Sequence, residues 1–117
     1  MIWLYTQVAI GGALGSSLRF LTVSLVGGPI ATFAVNVLGS LAMGVLFVAL
    51  TQRSQLSPLL MTGVLGGFTT FSAFSLDALK LYETGLPGQA ALYIAGSVIS
   101  SLAAIALGAA LTRGALA

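Results

Sequence analysis

The stretch Gly63-Val64-Leu65-Gly66-Gly67-Phe68-Thr69-Thr70-Phe71-Ser72-Ala73-Phe74-Ser75 decides the fold. It is apolar enough for a bilayer, yet paired glycines followed by two threonines make a poor continuous helix. A break here frees backbone carbonyls at mid-membrane depth. Such backbone is tolerated only inside protein or beside water. Upstream, Ser57-Pro58 has the form of an N-cap followed by a proline at the first helical position. Downstream the segment runs to Glu83, and Gly85-Leu86-Pro87 stops it.

The rest of the chain fits the same solvent. Of 117 residues, 58% are hydrophobic and 5% charged, with a mean hydropathy of +1.12. Four basic and two acidic side chains cannot coat a water-facing surface. A spanning helix takes roughly 20 apolar residues. The Gly27-Gly28-Pro29 break, the polar run Thr51-Gln52-Arg53-Ser54-Gln55 and the Gly85-Leu86-Pro87 stop leave four such segments, near 3–26, 29–50, 58–84 and 88–112. The expected fold is an all-α membrane protein, one domain over 1–117 with a break in its third helix. Connections this short make neighbours antiparallel.

Whole classes of chemistry are excluded. No cysteine and no histidine is present, so thiolate chemistry, disulfides and imidazole bases are absent. The central segments carry no acidic residue to relay protons. The pI near 9.5 rests on a net charge of only +2, which is no nucleic-acid footprint. Met1-Ile2-Trp3-Leu4-Tyr5 lacks the basic start of a cleavable leader and reads as a retained helix, with Trp3 and Tyr5 as interfacial anchors.

Charge gives no orientation. Arg53 and Arg113 fall on one side, Lys80 and the nearby Arg19 on the other. The positive-inside rule needs a bias and finds none. Chance in a chain with few charges explains this; so does insertion both ways up, which permits an antiparallel homodimer. Small-xxx-small pairs occur at Gly11/Gly15, Ser40/Gly44, Gly63/Gly67 and Gly96/Ser100. They suit packing within the chain and between chains alike.

Three polar sets lie within the apolar segments. Asn36 offers amide donors to an anion or to a neighbouring helix. Phe71 and Phe74, at i and i+3, share a face; they point partly positive ring edges at an anion or pack against lipid. Tyr93, Ser97 and Ser101, at i, i+4 and i+8, form a hydroxyl stripe, which can pass an anion along or bond back to its own helix. Arg19 either snorkels or draws anions into a vestibule.

Together these residues resemble the Fluc (CrcB-type) fluoride channels. The 63–75 run resembles that family's signature. Gly12-xx-Gly15-xxx-Arg19 and Thr32-Phe33-Ala34-Val35-Asn36-xx-Gly39 are similar to its first two helices, and the hydroxyl stripe is similar to its fourth. The resemblance implies a dual-topology antiparallel homodimer with two fluoride pores, in a prokaryotic plasma (inner) membrane. It implies passive export of toxic cytoplasmic fluoride, and no enzymatic reaction. Pore roles fall on Asn36, Thr70, Phe71, Ser72, Phe74, Tyr93, Ser97 and Ser101, and a vestibule role on Arg19. A structural Na⁺ on the two-fold axis is implied at the carbonyls of Gly66 and Thr69. Two departures stand out: Ala73, where many relatives carry a hydroxyl, and Asp77, where many carry Glu. The competing expectations are a small proton-coupled multidrug exporter, which needs an embedded carboxylate, and a non-transporting assembly subunit.

Overall fold

The computed structural model describes residues 1–50 and 54–117. Thr51, Gln52 and Arg53, and with them Arg53's part in the charge balance, lie outside the described residues. The described chain is helical nearly throughout. Helix α1 is Ile2–Val26, α2 is Gly28–Ala49, and a π-helix Pro58–Leu65 continues as the α-helical turn Gly66–Phe68, together α3. Helix α4 is Ser72–Glu83 and α5 is Pro87–Leu116.

Four stretches are long and apolar enough to span a bilayer: Ile2–Val26, Gly28–Ala49, Pro58–Glu83 and Pro87–Leu116. The last outruns the expected end near residue 112, because nothing after Thr112 breaks it. Thr112 donates its hydroxyl back to the Gly108 carbonyl at 2.7 Å and the helix continues. Gly27, Gly28 and Gly85 carry the positive φ that the turns need, at 78°, 63° and 82°.

The Ser57 N-cap expectation is corrected. Ser57 is itself helical (φ −57°, ψ −44°) and its side chain caps nothing. Instead the Ser54 hydroxyl oxygen accepts the Leu56 N–H at 3.3 Å. At this membrane face Gln7, only 4% exposed, ties the start of α3 to α1. With its amide turned to satisfy both ends, it donates to the Gln55 carbonyl at 2.7 Å and accepts the Trp3 indole N–H at 2.9 Å.

Packing divides the helices into pairs: α1 lies along α3, and α2 along α5. Glycines set both contacts. A Cβ on Gly11 would strike the Leu59 carbonyl, and one on Gly15 the Val64 carbonyl. Across the other pair, a Cβ on Gly44 would strike the Ile105 carbonyl and one on Gly108 the Leu41 carbonyl. Gly63 and Gly67 in turn face Gly11 and Gly12, so glycines from three of the four small-residue pairs are used inside the chain. Gly96, by contrast, has nothing within 4 Å of an added Cβ.

Helical bonding changes between the two pairs. Thr69 is extended (φ −84°, ψ 156°), and α4 begins only at Ser72. Before this point the third span packs on α1; after it, on α5.

Candidate functional site

The crossing leaves a groove of about 380 Å³ between α2, α5 and the Thr69–Phe71 segment. Its wall includes Asn36, Thr70, Phe71, Phe74, Ser97 and Ser101. No acidic or basic side chain lines it among the described residues.

Local chemistry positions each wall residue. Thr70 takes up the role of a cap: its hydroxyl oxygen accepts the Ala73 N–H at 3.1 Å at the start of α4. The Ser72 hydroxyl lies 3.4 Å from it. The α4 start turns Phe71 onto the groove lip, 77% exposed, while Phe74 is 7% exposed. The two rings meet edge-to-face, centroids 5.4 Å apart. Phe74 also packs on Tyr93 at 5.2 Å.

The hydroxyl stripe splits. Tyr93 donates to the Asp77 carboxylate at 3.2 Å and does not line the groove. Ser97 and Ser101 do line it. Ser97 is 4% exposed, and its hydroxyl has no hydrogen-bond partner among the described residues. Serine in an apolar helix ordinarily bonds back to its own backbone. Thr6, Thr22 and Thr112 do so; Ser97 does not.

Asn36 and Arg19 both reach the third span. Asn36 donates Nδ2–H to the Thr70 carbonyl at 2.8 Å and accepts the Thr70 N–H on Oδ1 at 2.7 Å. Arg19 does not simply snorkel outward; its Nε–H donates to the Gly67 carbonyl at 3.0 Å. The Leu65 carbonyl receives both the Thr69 N–H, at 3.0 Å, and the Thr69 hydroxyl, at 2.9 Å. The carbonyls of Gly66 and Thr69 receive no hydrogen bond from the described residues. Gln7 is the polar residue that the sequence reading passed over. Its signal was the i, i+4 spacing to Trp3 on one helix face.

The comparisons with known proteins agree on one family. The family model described as CrcB-like protein, Camphor Resistance (CrcB), matches residues 6–109. A protein named fluoride-specific ion channel FluC from Cereibacter sphaeroides is 54% identical over 121 residues, covering 97% of this chain and 98% of its own. Proteins of the same name from Ruegeria sp. and Paracoccus denitrificans are 50% and 48% identical, each covering 94% of both chains.

Proposed function

This chain belongs to the CrcB family, and from that membership we propose that it is a fluoride-selective channel through which fluoride leaves the cell passively. It is a multi-pass bacterial membrane protein with four helices able to span the bilayer. The observation that carries the channel reading is the Ser97 hydroxyl, buried on the groove wall with no partner among the described residues. An unmet buried donor normally costs about 1–3 kcal/mol. A small anion that reached this hydroxyl from the groove would satisfy it.

The surroundings suit an anion. The N-terminus of α4 lies at the groove, where unbonded N–H groups and the helix dipole favour negative charge. The edge-to-face contact between Phe71 and Phe74 leaves ring edges available to an anion without a full cation's grip. Ser101 extends the hydroxyl path, and among the described residues the lining has no carboxylate to repel fluoride. Ser72 joins this track only through its contact with the Thr70 hydroxyl, Tyr93 stands outside the groove on Asp77, and Arg19 belongs to the vestibule in this reading.

The same broken span has a cation-favouring end. The carbonyls of Gly66 in α3 and of Thr69 just after it, free of donors among the described residues, fit a Na⁺ ion as ligands. When bound, that ion would supply a fixed positive charge at the negative end of α3. One chain leaves Phe71 bare on the groove lip. We therefore take the working unit to be an antiparallel homodimer, in which the partner covers this face. Balanced charges allow such insertion, and Gly96 stands open to receive a neighbour.

The test is fluoride efflux from proteoliposomes, followed with a fluoride electrode. Electrodiffusive fluoride flux with chloride excluded is the expected result. Dye uptake driven by a pH gradient, with no fluoride flux, would overturn it in favour of a proton-coupled exporter. Ser97→Ala should lower the flux by roughly five- to tenfold, the worth of one hydrogen bond of about 1 kcal/mol. Its thermal stability should not fall, since the hydroxyl bonds nothing among the described residues. Unchanged flux in that variant would remove Ser97 from the path.

A further inference from the structure

We propose that Asn36 is a positioning residue, which aims the backbone of the broken span by gripping the two peptide groups that flank the Thr70 Cα. The proposal rests on the reading of the groove as a fluoride path. Both ends of the carboxamide are engaged: Oδ1 by the Thr70 N–H at 2.7 Å, Nδ2 by the Thr70 carbonyl at 2.8 Å. One N–H is all that remains for any ion.

The grip has a geometric consequence. The Thr70 N–H shares a planar trans peptide with the Thr69 carbonyl, so the two point in opposite directions. Holding the N–H toward α2 turns the Thr69 carbonyl away from α2. Holding the Thr70 carbonyl as well fixes the next peptide plane, which leads directly into Phe71. Arg19 acts in the same sense from α1 by occupying the Gly67 carbonyl at 3.0 Å. The Phe71 carbonyl is taken by the Ser75 N–H and hydroxyl, both at 2.9 Å. The carbonyls of Gly66 and Thr69 thus stay free while those of Gly67, Thr70 and Phe71 do not. In hydrocarbon a peptide group without such a partner would refold toward continuous helix, since each unmet group is costly there. Asn36 supplies from another helix what the extended Thr69 backbone forfeits.

The experiment pairs flux with amide exchange on the reconstituted full-length protein. Asn36→Ala removes the grip; Asn36→Leu removes it while filling the same space, should the alanine variant fail to assemble. Hydrogen–deuterium exchange at the Thr70 amide is read beside fluoride efflux. Losing one buried hydrogen bond should speed exchange at Thr70 by about ten- to a hundredfold relative to amides in α2. Flux should fall by a similar factor in the same variant. Flux lost with Thr70 exchange unchanged would overturn the proposal, because Asn36 would then be acting on the ion itself. Faster exchange with flux intact would overturn it too. A wild-type protein that carries no fluoride would overturn the underlying reading instead, and that result precedes any variant.

Discussion

Membranes expressing Gly15→Val are expected to yield almost no monodisperse protein, whereas Gly88→Ala yields as much as the wild type. The difference lies in what a side chain meets. A Cβ on Gly15 overlaps the Val64 carbonyl oxygen and comes within 2.9 Å of the Phe68 nitrogen. Both are backbone atoms, with no rotamer to yield. Overpacking where side chains can adjust costs about 1–3 kcal/mol; against backbone it reaches or exceeds the top of that range. A fold held by about 5–15 kcal/mol has little to spare. In lipid the loss is sharper, because close packing rather than water exclusion holds helices together. Damage also spreads toward the groove. Arg19 stands one turn beyond Gly15 on α1, and its 3.0 Å bond to Gly67 needs α1 and α3 at their present spacing. Gly88, on the exposed first turn of α5, has nothing within 4 Å of an added Cβ. Alanine there is favoured in a helix by about 0.5–1 kcal/mol. Gel filtration after detergent extraction reads both. Normal recovery of Gly15→Val would mean that α1 and α3 do not pack as described.

Why some features were legible in the sequence and others were not follows from where their causes lie. The four spans come from local facts: the lengths of apolar runs and the Gly/Pro punctuation between them. Their ends shift by a few residues because capping is a matter of geometry, as Ser57 and Thr112 illustrate. The π-helical course of Pro58–Leu65 was not legible. The surface it packs on, the glycines of α1, lies outside the 58–65 window. Asn36 showed the same limit. An amide in an apolar helix announces that it has a partner, and its sequence leaves open whether that is an ion or a backbone. The partner, Thr70, lies 34 residues away. The threonine pair after Gly66-Gly67 signalled weak helix, but not that Thr70 would cap α4 while Thr69 bonds back to Leu65. What would cover Phe71 in the proposed homodimer is not written in a single chain at all, since a partner's surface is outside it.

Phe71→Ile is the substitution that separates a pore from a packed bundle. Phe71 is 77% exposed and Phe20, on α1, is 75% exposed. By burial alone they are the same residue, an apolar side chain facing out of the chain. Isoleucine keeps either position apolar, so insertion and folding should survive both changes. If exposure meant only contact with lipid, the two variants would behave alike. The groove makes them different. Phe71 stands edge-to-face with Phe74, 5.4 Å away, beside the Ser97 and Ser101 hydroxyls. On the proposed reading, an anion passing there would lose water and meet ring edges whose partial positive charge offsets part of that loss. Isoleucine has no such edge. If the missing interaction is worth about 3 kcal/mol at the narrowest point, flux falls by about a hundredfold. Phe20→Ile should leave flux within about twofold of the wild type, as a surface change usually stays within about 0.5 kcal/mol. Phe74→Ile is the less clean test, because Phe74 is buried between Phe71 and Tyr93 and its loss also costs packing. The outcome that defeats the pore assignment is equal fluoride flux from Phe71→Ile and Phe20→Ile liposomes at equal protein content. A loss confined to Phe71 assigns the exposed ring to the ion's path and requires that something other than lipid cover it in the working channel.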